Sequence, residues 1–263
     1  MSPYLALGRR QLADFVACQR RFQLRHVQQL VWPAAPLAES ITQARQLGQQ
    51  FHQLLERHFL GLPVADDLTA AEEPLPGWWA VFQQQGPTLP AGRRLPEVGL
   101  TVPVGRTLLS GRFDLLILGE DSAYLYDWKT ETRPRPAAEL AEDWQTRLYL
   151  ALLTEGGAAL RPDGQPLDPD HLTMTYWYVR EPAATVTLSY SQAQHATNWA
   201  SIQALVEQID QQLASQAILP LTDDWTECGR CAYAAYCRRT VTAASLDEWE
   251  VEWNEPALEP DLL

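Results

Sequence analysis

Several absences narrow what this chain of 263 residues is. No run of eighteen apolar residues occurs, so a transmembrane helix is excluded. The N-terminal stretch MSPYLALGRRQLADF lacks the basic start, apolar core and small-residue cleavage site of a secretory signal, and we therefore expect a cytoplasmic protein with no membrane partner. No internal repeat is found. The composition, 46% hydrophobic and 20% charged, is ordinary for one globular domain, or for one core with an attached small module.

Positive charge is also scarce. The formal net charge is −13 and the pI is near 4.8, which argues against a nucleic-acid partner because phosphate binding requires Lys and Arg. The acids are unevenly placed, however, since residues 244–263 hold seven acids and no base. We interpret this tail as a solvated end, with mimicry of nucleic acid or docking of a partner as the alternative. Basic clusters lie elsewhere, at Arg9-Arg10, Arg20-Arg21-Arg25, Arg93-Arg94 and Arg238-Arg239.

Hydrophobic periodicity predicts helices and short strands. Helices are predicted over 8–31, 38–60, 137–154 and 191–216, with a further short helix at WWAVFQQQ within the Pro-, Gly- and Gln-rich segment 61–96. Strands are predicted over 97–104, 109–118, 123–130, 171–180 and 184–190. This order of helices, a meander, a helix, more strands and a helix predicts a mixed α/β core with helical flanks.

The stretch SGRFDLLILGEDSAYLYDWKT, residues 110–130, predicts a β-hairpin with one aspartate in each strand, although aspartate is depleted in strands. These residues are Asp114 and Asp127. Side chains alternate between the two faces of a strand, so Asp127 and Lys129 share one face. The hairpin therefore presents an acid and a base side by side.

The register of this hairpin decides whether the two acids meet. A two- or four-residue loop at GEDS places Leu118 opposite Ala123 and therefore Asp114 opposite Asp127, whereas a three-residue loop would break this register. Directly opposed side chains have Cβ atoms roughly 4.5–5.5 Å apart, and like charges at that spacing are destabilising. We infer that something positive lies between the two carboxylates.

A hard divalent cation held by oxygen ligands would supply that charge. Mg²⁺ usually keeps several waters, and one of them is a potential nucleophile. Lys129 could orient such a water, help to deprotonate it, or stabilise charge that develops on a phosphate. The alternative is an exposed hairpin face with an Asp–Lys pair, because D-x-K by itself is a common sequence.

Four cysteines form a second pattern. Three of them, Cys228, Cys231 and Cys237, read C-x2-C-x5-C, and the fourth is the distant Cys18. A disulfide framework is not expected in a cytosolic protein, whereas four thiolates suit Zn²⁺ or an iron–sulfur cluster. A zinc ribbon has two close pairs, which this spacing does not match. Four unrelated buried cysteines are the remaining alternative.

The arrangement GRFD…YLYDWKT resembles the core of the PD-(D/E)XK nuclease superfamily, in particular its RecB-type branch, which has G-x-x-D on one strand and D-x-K-T on the next. That branch carries Q-x-x-x-Y on the following helix, and QTRLY matches it with Gln145 and Tyr149. Positions i and i+4 share a helix face, so both side chains can reach the same DNA substrate. Without that context they would be a surface glutamine and a half-buried tyrosine.

Upstream, GQQFHQLLE resembles the family segment G-x-x-x-H-x-x-L-E, whose histidine is a metal ligand. The resemblance implies that His52, Asp114, Asp127 and the main-chain carbonyl of Trp128 hold Mg²⁺ or Mn²⁺. It also implies that Asp114, Asp127 and Lys129 are catalytic. A lone histidine on an amphipathic helix is otherwise more often structural.

The cysteine spacing resembles that of iron–sulfur RecB-type nucleases, in which one cysteine near the N-terminus and a C-terminal trio bind a [4Fe–4S] cluster. LADFVACQRRFQLRHV is similar to the family helix that carries C-P-R-x-F, with Gln19 in place of the proline. The resemblance implies that Cys18, Cys228, Cys231 and Cys237 tie the first helix to the C-terminus through such a cluster, with Zn²⁺ as the alternative occupant.

The resemblance implies a restriction-endonuclease-like α/β fold, in which a mixed sheet core is flanked by helices and a cysteine-cluster module joins the N-terminal helix to the C-terminus. We expect four parts along the chain. They are a helical segment (1–60), the nuclease core (61–220), the cysteine cluster (221–243) and the acidic tail (244–263).

The function implied by the resemblance is that of a metal-dependent DNA exonuclease that hydrolyses phosphodiester bonds of single-stranded ends, in DNA repair, recombination or CRISPR adaptation. Such an end would pass Tyr149 and Trp144, since aromatic stacking tolerates any base. The chain has no P-loop or helicase motif, so unwinding requires a helicase or a CRISPR adaptation partner. Two other interpretations remain: a non-catalytic DNA-binding or assembly subunit with the same fold, and a zinc-stapled interaction protein.

Overall fold

The computed structural model describes residues 5–32, 39–64, 68–69, 71–180, 182–229 and 231–239. The acidic tail predicted over 244–263 lies outside these residues. The helices are α1 (Arg9–Ala17), α2 (Gln19–Phe22), α3 (Glu39–Phe59), α4 (Leu75–Gln85), α5 (Ala137–Glu142), α6 (Trp144–Gly156), α7 (Gln192–Ala214) and α8 (Trp225–Gly229). A π-helix (Gln23–Val27) follows α2, and 3-10 turns lie at Gly157–Leu160 and Pro169–His171. The strands are β1 (Leu5–Leu7), β2 (Arg93–Val104), β3 (Thr107–Leu118), β4 (Ala123–Lys129), β5 (Leu172–Tyr178) and β6 (Ala184–Ser189).

The six strands form one mixed sheet. Its order is β1-β3-β4-β5-β6, and β2 pairs with β3 along its full length. The pairs β1–β3 and β4–β5 are parallel, whereas β2–β3, β3–β4 and β5–β6 are antiparallel. The predicted mixed sheet with flanking helices is therefore confirmed. β1 was not predicted, and it makes the N-terminal segment a contributor to the sheet.

Each face of the sheet carries its own apolar core. On one face, α6 and α7 pack over the strands, with Leu148 against Leu125 and its neighbours. On the other face, α3 and α4 pack over the same strands, with Phe51 near Trp128. Because alternate residues of β4 point to opposite cores, this strand is buried on both faces. None of the helices in the described ranges is long and apolar enough to span a bilayer.

The regular alternation of side chains breaks in the middle of β2 and β3. Phe113 and Leu116 belong to the same core although they are three residues apart, and the strand around them otherwise alternates every two. In the β2–β3 register, Glu97 falls opposite Asp114, between the pairs that flank them. Glu97 has φ +49°, a conformation that costs energy for any residue but glycine. The backbone is therefore distorted where these two acids meet.

Two helices predicted as continuous are interrupted. The predicted helix 8–31 breaks at Cys18, whose backbone is extended (φ −162°, ψ 107°), before the short α2 and the π-helix. The predicted helix 137–154 breaks at Asp143 (φ −65°, ψ 138°), whose side chain accepts a hydrogen bond from the N–H of Gln145 at 2.8 Å. Each break begins a new helix at a residue that belongs to a candidate site.

Candidate active site

The hairpin of β3 and β4 has the predicted register. Four residues, 119–122, form its loop, and Leu118 pairs with Ala123. The next position after the last ladder pair, Leu115 with Tyr126, places Asp114 beside Asp127. Here the strands separate, and Asp114 Oδ2 accepts a hydrogen bond from the main-chain N–H of Trp128 at 2.8 Å. The side chain of Asp114 thus accepts the hydrogen bond that a main-chain carbonyl of β3 would accept if the β3–β4 ladder continued to Trp128.

His52 reaches this position from α3. Its Nδ1 lies 3.3 Å from Asp114 Oδ2, and its Nε2 lies 2.8 Å from the carbonyl oxygen of Trp128. Burial disfavours the charged imidazole, but the neighbouring carboxylate of Asp114 outweighs it and raises the pKa of His52 to about 9. The two ring nitrogens of His52 thus face two of the groups that the sequence resemblance assigns as metal ligands, Asp114 and the Trp128 carbonyl.

Glu97 of β2 is a site residue that sequence reasoning missed. His52, Glu97 and Asp114 each offer one ligand atom, and these atoms all lie within 4.8 Å of one another. Arg112 Nε holds the Glu97 carboxylate at 2.9 Å. Burial and the charge of Asp114 raise the pKa of Glu97 to about 7. The P-E-V sequence carried no signal of this, since only the register with β3 and the local backbone distortion bring Glu97 to Asp114.

Asp127 contacts α6, on the face of the sheet opposite to the one that carries His52. Its Oδ2 lies 2.7 Å from Lys129 Nζ, and its Oδ1 accepts a hydrogen bond from Gln145 Nε2 of α6. Burial and the charge of Asp114 raise the pKa of Asp127 to about 6, even though Lys129 acts in the other direction. We expected the two acids to face each other on one side of the hairpin. Instead Asp114 turns to α3 and Asp127 to α6, because alternation is broken at Asp114.

Lys129 is the only lysine among the 263 residues, whereas arginine occurs nineteen times. Its side chain is 11% exposed and contacts Asp127 Oδ2, Gln145 Oε1 at 3.1 Å, and the face of the Tyr176 ring at 5.3 Å. Burial favours the neutral amine, but the adjacent carboxylate of Asp127 prevails and raises the pKa of Lys129. The ammonium is therefore charged at neutral pH.

Gln145 touches both members of this pair and is itself 6% exposed. Its position is set by the cap of α6, because Asp143 accepts from the Gln145 N–H and from Arg135 Nη1 at 2.6 Å. The glutamine predicted to contact DNA thus orients Asp127 and Lys129 in the structure. Its carboxamide nitrogen donates a hydrogen bond to Asp127, and its carboxamide oxygen accepts one from Lys129.

Tyr149, the other residue of the Q-x-x-x-Y motif, is only 2% exposed. Its ring packs edge-on against Phe113, with centroids 5.1 Å apart, and directly over Gly111 of β3. The tyrosine therefore belongs to the core under the hairpin, and its ring has no face open to a base. This corrects the expectation that a single strand would stack on Tyr149.

The residues present suit a hard divalent cation. An imidazole nitrogen, carboxylate oxygens and a main-chain carbonyl oxygen are the donors that Mg²⁺ and Mn²⁺ accept in proteins. Three carboxylates come close together here, and burial, together with the charge of Asp114, raises the pKa values of Glu97 and Asp127. A cation among them would offset that repulsion. Among the described residues, His52, Glu97 and Asp114 each bring one ligand atom within 4.8 Å of the other two, and Asp127 lies beside them.

The four cysteines also come together. Cys18, Cys228, Cys231 and Cys237 are free thiols that line one cavity, although Cys18 is more than two hundred residues from the others. Burial raises the pKa values of Cys231 and Cys237, and the neighbouring thiols add to this. Four thiols around one cavity fit a thiophilic metal group, whether a zinc ion or an iron–sulfur cluster.

These geometries agree with comparisons to known proteins. The chain belongs to the PD-(D/E)XK nuclease superfamily, whose family model matches residues 9–238. Its substrate class is therefore nucleic acid. No curated protein matches the chain.

Two solved structures are similar in fold. The structure described as that of SSO0001 is 16% identical, covers 90% of this chain and 88% of its own, and gives a TM-score of 0.40. A protein described as a putative exonuclease from Eubacterium rectale is 10% identical, covers 79% of this chain and 80% of its own, and gives a TM-score of 0.44.

Proposed function

We propose that the protein is a metal-dependent DNA exonuclease that hydrolyses phosphodiester bonds at single-stranded ends. The contact between Lys129 and Asp127 carries this proposal. A chain that uses arginine nineteen times keeps its one lysine at the D-x-K position, buried against the second aspartate. A compact ammonium and a planar guanidinium differ in shape and hydration, so the site requires the ammonium in particular.

In this proposal His52, Glu97, Asp114, Asp127 and the Trp128 carbonyl hold Mg²⁺ or Mn²⁺. The bound cation would supply an activated water and neutralise charge on the phosphate. Lys129, whose Nζ lies 2.7 Å from Asp127 Oδ2, would stabilise negative charge that develops on the phosphate. Gln145 would orient Asp127 and Lys129 relative to each other, since its side chain hydrogen-bonds to both.

The nucleic acid would approach from the side of α1 and α6. Arg9 acts electrostatically on both Lys129 and Tyr176, which places its positive charge near the site. Trp144 at the start of α6 is partly buried, and the guanidinium of Arg147 lies 4.4 Å from its ring centroid. Because Tyr149 is in the core, Trp144 is the aromatic residue that we assign to contact with a base. A helicase or a CRISPR adaptation protein would supply the unwinding.

We further propose that the four cysteines hold a [4Fe–4S] cluster. One cysteine near the N-terminus and a C-terminal trio match the spacing of iron–sulfur RecB-type nucleases and differ from the two close pairs of a zinc ribbon, which supports the iron–sulfur alternative over Zn²⁺. Such a group would link the start of α2 to α8, and so connect the N-terminal and C-terminal segments of the described chain.

The decisive experiment uses end-labelled single- and double-stranded DNA with Mn²⁺ or Mg²⁺. Wild type should release mononucleotides or short products from single strands, whereas Asp114→Ala and Lys129→Ala should lose this activity. Glu120→Gln, in the exposed hairpin loop, is the matched control and should behave as wild type. Equal activity in wild type and both site variants would contradict the assignment.

A second function is a non-catalytic DNA-binding or assembly subunit, and the net charge of −13 favours the assembly role because it disfavours contacts with phosphates. It predicts that wild type binds labelled DNA, or a partner protein, and cleaves no DNA with either metal. The same gel assay, together with fluorescence anisotropy of labelled DNA, separates the two functions.

A further inference from the structure

A charged side chain lies among the four cysteines. Arg21 of α2 lines the same cavity as Cys18, Cys228, Cys231 and Cys237. Its main-chain N–H also donates a hydrogen bond to Cys18 Sγ, at a distance of 3.4 Å. A guanidinium is therefore part of the wall of the cysteine site.

Two acids hold this guanidinium in place. Arg21 Nε lies 2.8 Å from Asp14 Oδ1, and Arg21 Nη1 lies 2.8 Å from Glu227 Oε2. The side chain of Arg21 is 12% exposed, so these contacts are shielded from water. Asp14 comes from α1 and Glu227 from α8, next to Cys228. The ion pairs thus join the same segments that the cysteines join.

Glu227 lines the cavity as well, so among the residues that the structure describes its wall contains one positive and one negative side chain. Arg25 binds the same Asp14, at 2.7 Å, but does not line the cavity. Arg21 and Arg25 both contact Asp14, and the charge of each also acts on Cys231, but of these two only Arg21 lines the cavity. A group bound by the cysteines should therefore respond more strongly to Arg21 than to Arg25.

We propose that Arg21, held by Asp14 and Glu227, is a positioning and tuning residue for the group bound by the four cysteines. This inference rests on the proposed metal-binding role of those cysteines. Four thiolates leave a negative net charge on a bound zinc ion or iron–sulfur cluster, and a nearby fixed positive charge stabilises it. The same positive charge favours the more negative, reduced state of a cluster, whereas Glu227 opposes it.

The two side chains should therefore shift the bound group in opposite directions. Arg21→Met should make the reduction midpoint more negative, and Glu227→Gln should make it more positive. We expect the oxidised-to-reduced ratio at fixed potential to change about tenfold for Arg21→Met, which is ~59 mV for one electron. Retention of the metal against a chelator should fall in Arg21→Met and recover in Arg21→Lys, which keeps the charge.

The experiment uses the full chain purified anaerobically. Iron, zinc and sulfide per chain are measured for wild type, Arg21→Met, Arg21→Lys, Glu227→Gln and Arg25→Met, followed by redox titration of the visible absorption and by chelator competition. Arg25→Met is the matched control, because it also removes a partner of Asp14. Because its charge acts on Cys231 from outside the cavity, its loss should shift the midpoint and the retention of metal in the same direction as Arg21→Met and by clearly less.

Each result decides a separate question. Absence of iron and zinc from the wild-type protein would overturn the metal-binding role of the cysteines. The proposed nuclease function would still be tested separately, by the DNA cleavage assay. Metal-bound wild type with an unchanged Arg21→Met would overturn the inference alone. An equal loss in Arg21→Met and Arg25→Met, or shifts of the same sign in Arg21→Met and Glu227→Gln, would show a structural effect and would likewise overturn it.

Discussion

Tyr149 packs its ring directly on Gly111, and a Cβ atom at Gly111 would lie 2.9 Å from Tyr149 Cε1. The glycine of the G-x-x-D motif and the tyrosine of the Q-x-x-x-Y motif are therefore one packing contact. It holds α6 against β3, and α6 in turn carries Gln145 to Asp127. Two motifs that look like separate substrate contacts in sequence act together in structure.

Gly111→Ala should destabilise the protein by about 1–3 kcal/mol, because the added methyl group overpacks a buried contact. Denaturant unfolding measures this change in free energy. Gly99→Ala, in the neighbouring strand β2, is the control, since the nearest atom to its Cβ is 4.0 Å away. The packing argument fails if the two variants have equal stability.

Lys129→Arg should lower the rate of DNA cleavage about 100-fold or more, although the charge is kept. The ammonium lies 2.7 Å from Asp127 Oδ2 and 5.3 Å from the Tyr176 ring centroid, and a longer planar group placed there would shift its charge away from the reacting phosphate. Single-turnover cleavage at saturating Mn²⁺ measures the rate. Arg106→Lys, in the loop between β2 and β3, should retain full activity, and wild-type rates in Lys129→Arg would argue against a specific ammonium.

Gln145→Ala should reduce kcat by about 10–100-fold and leave KM nearly unchanged, because Gln145 orients Asp127 and Lys129. A residue that binds DNA directly would instead raise KM when removed. Steady-state cleavage across a range of DNA concentrations distinguishes the two outcomes. A rise in KM at constant kcat would instead support direct contact between Gln145 and DNA, which is the role that the motif resemblance implies.

Glu97→Gln should weaken Mn²⁺ binding roughly tenfold or more, because it removes one of the carboxylates nearest to His52 and Asp114. Mn²⁺ titration followed by electron paramagnetic resonance measures the affinity without DNA. Glu120→Gln removes a carboxylate of the exposed hairpin loop and should bind as wild type. Unchanged affinity in Glu97→Gln would exclude Glu97 from the metal site.

Asp14→Asn should cost on the order of 2 kcal/mol at pH 7. Burial alone would raise the pKa of Asp14, but the hydrogen bond of His26 and the charges of Arg25 and Arg21 lower it to about 2. The stability that Asp14 contributes is complete above the unfolded pKa, near 3.8, and is lost as pH falls toward 2.

Urea unfolding of wild type and Asp14→Asn at pH 7, 4, 3 and 2 measures this linkage. The difference between them should shrink between pH 4 and pH 2, since the wild-type carboxyl becomes neutral there. A difference that is constant over this range would mean that the ion pairs of Asp14 do not stabilise the fold.

Much of the fold follows from local patterns. Periodicity identified the helices that carry His52 and Gln145, and the four-residue loop determined the register that brings Asp114 beside Asp127. The breaks at Cys18 and Asp143 were not predicted. Each depends on contacts made by the new helix that begins there, which apolar spacing does not report.

The sequence by itself determined the mixed α/β class, the two strands of the hairpin and the residue types of both sites, because these depend on periodicity, alternation and motif spacing. Only the tertiary structure decided how those residues are used. Strand pairing and a distorted backbone bring Glu97 to Asp114, the packing of α6 on β3 buries Tyr149, and the closure of α8 on α2 brings Arg21 and Glu227 to the cysteines. These contacts join segments far apart in the chain, and no local pattern encodes their distances.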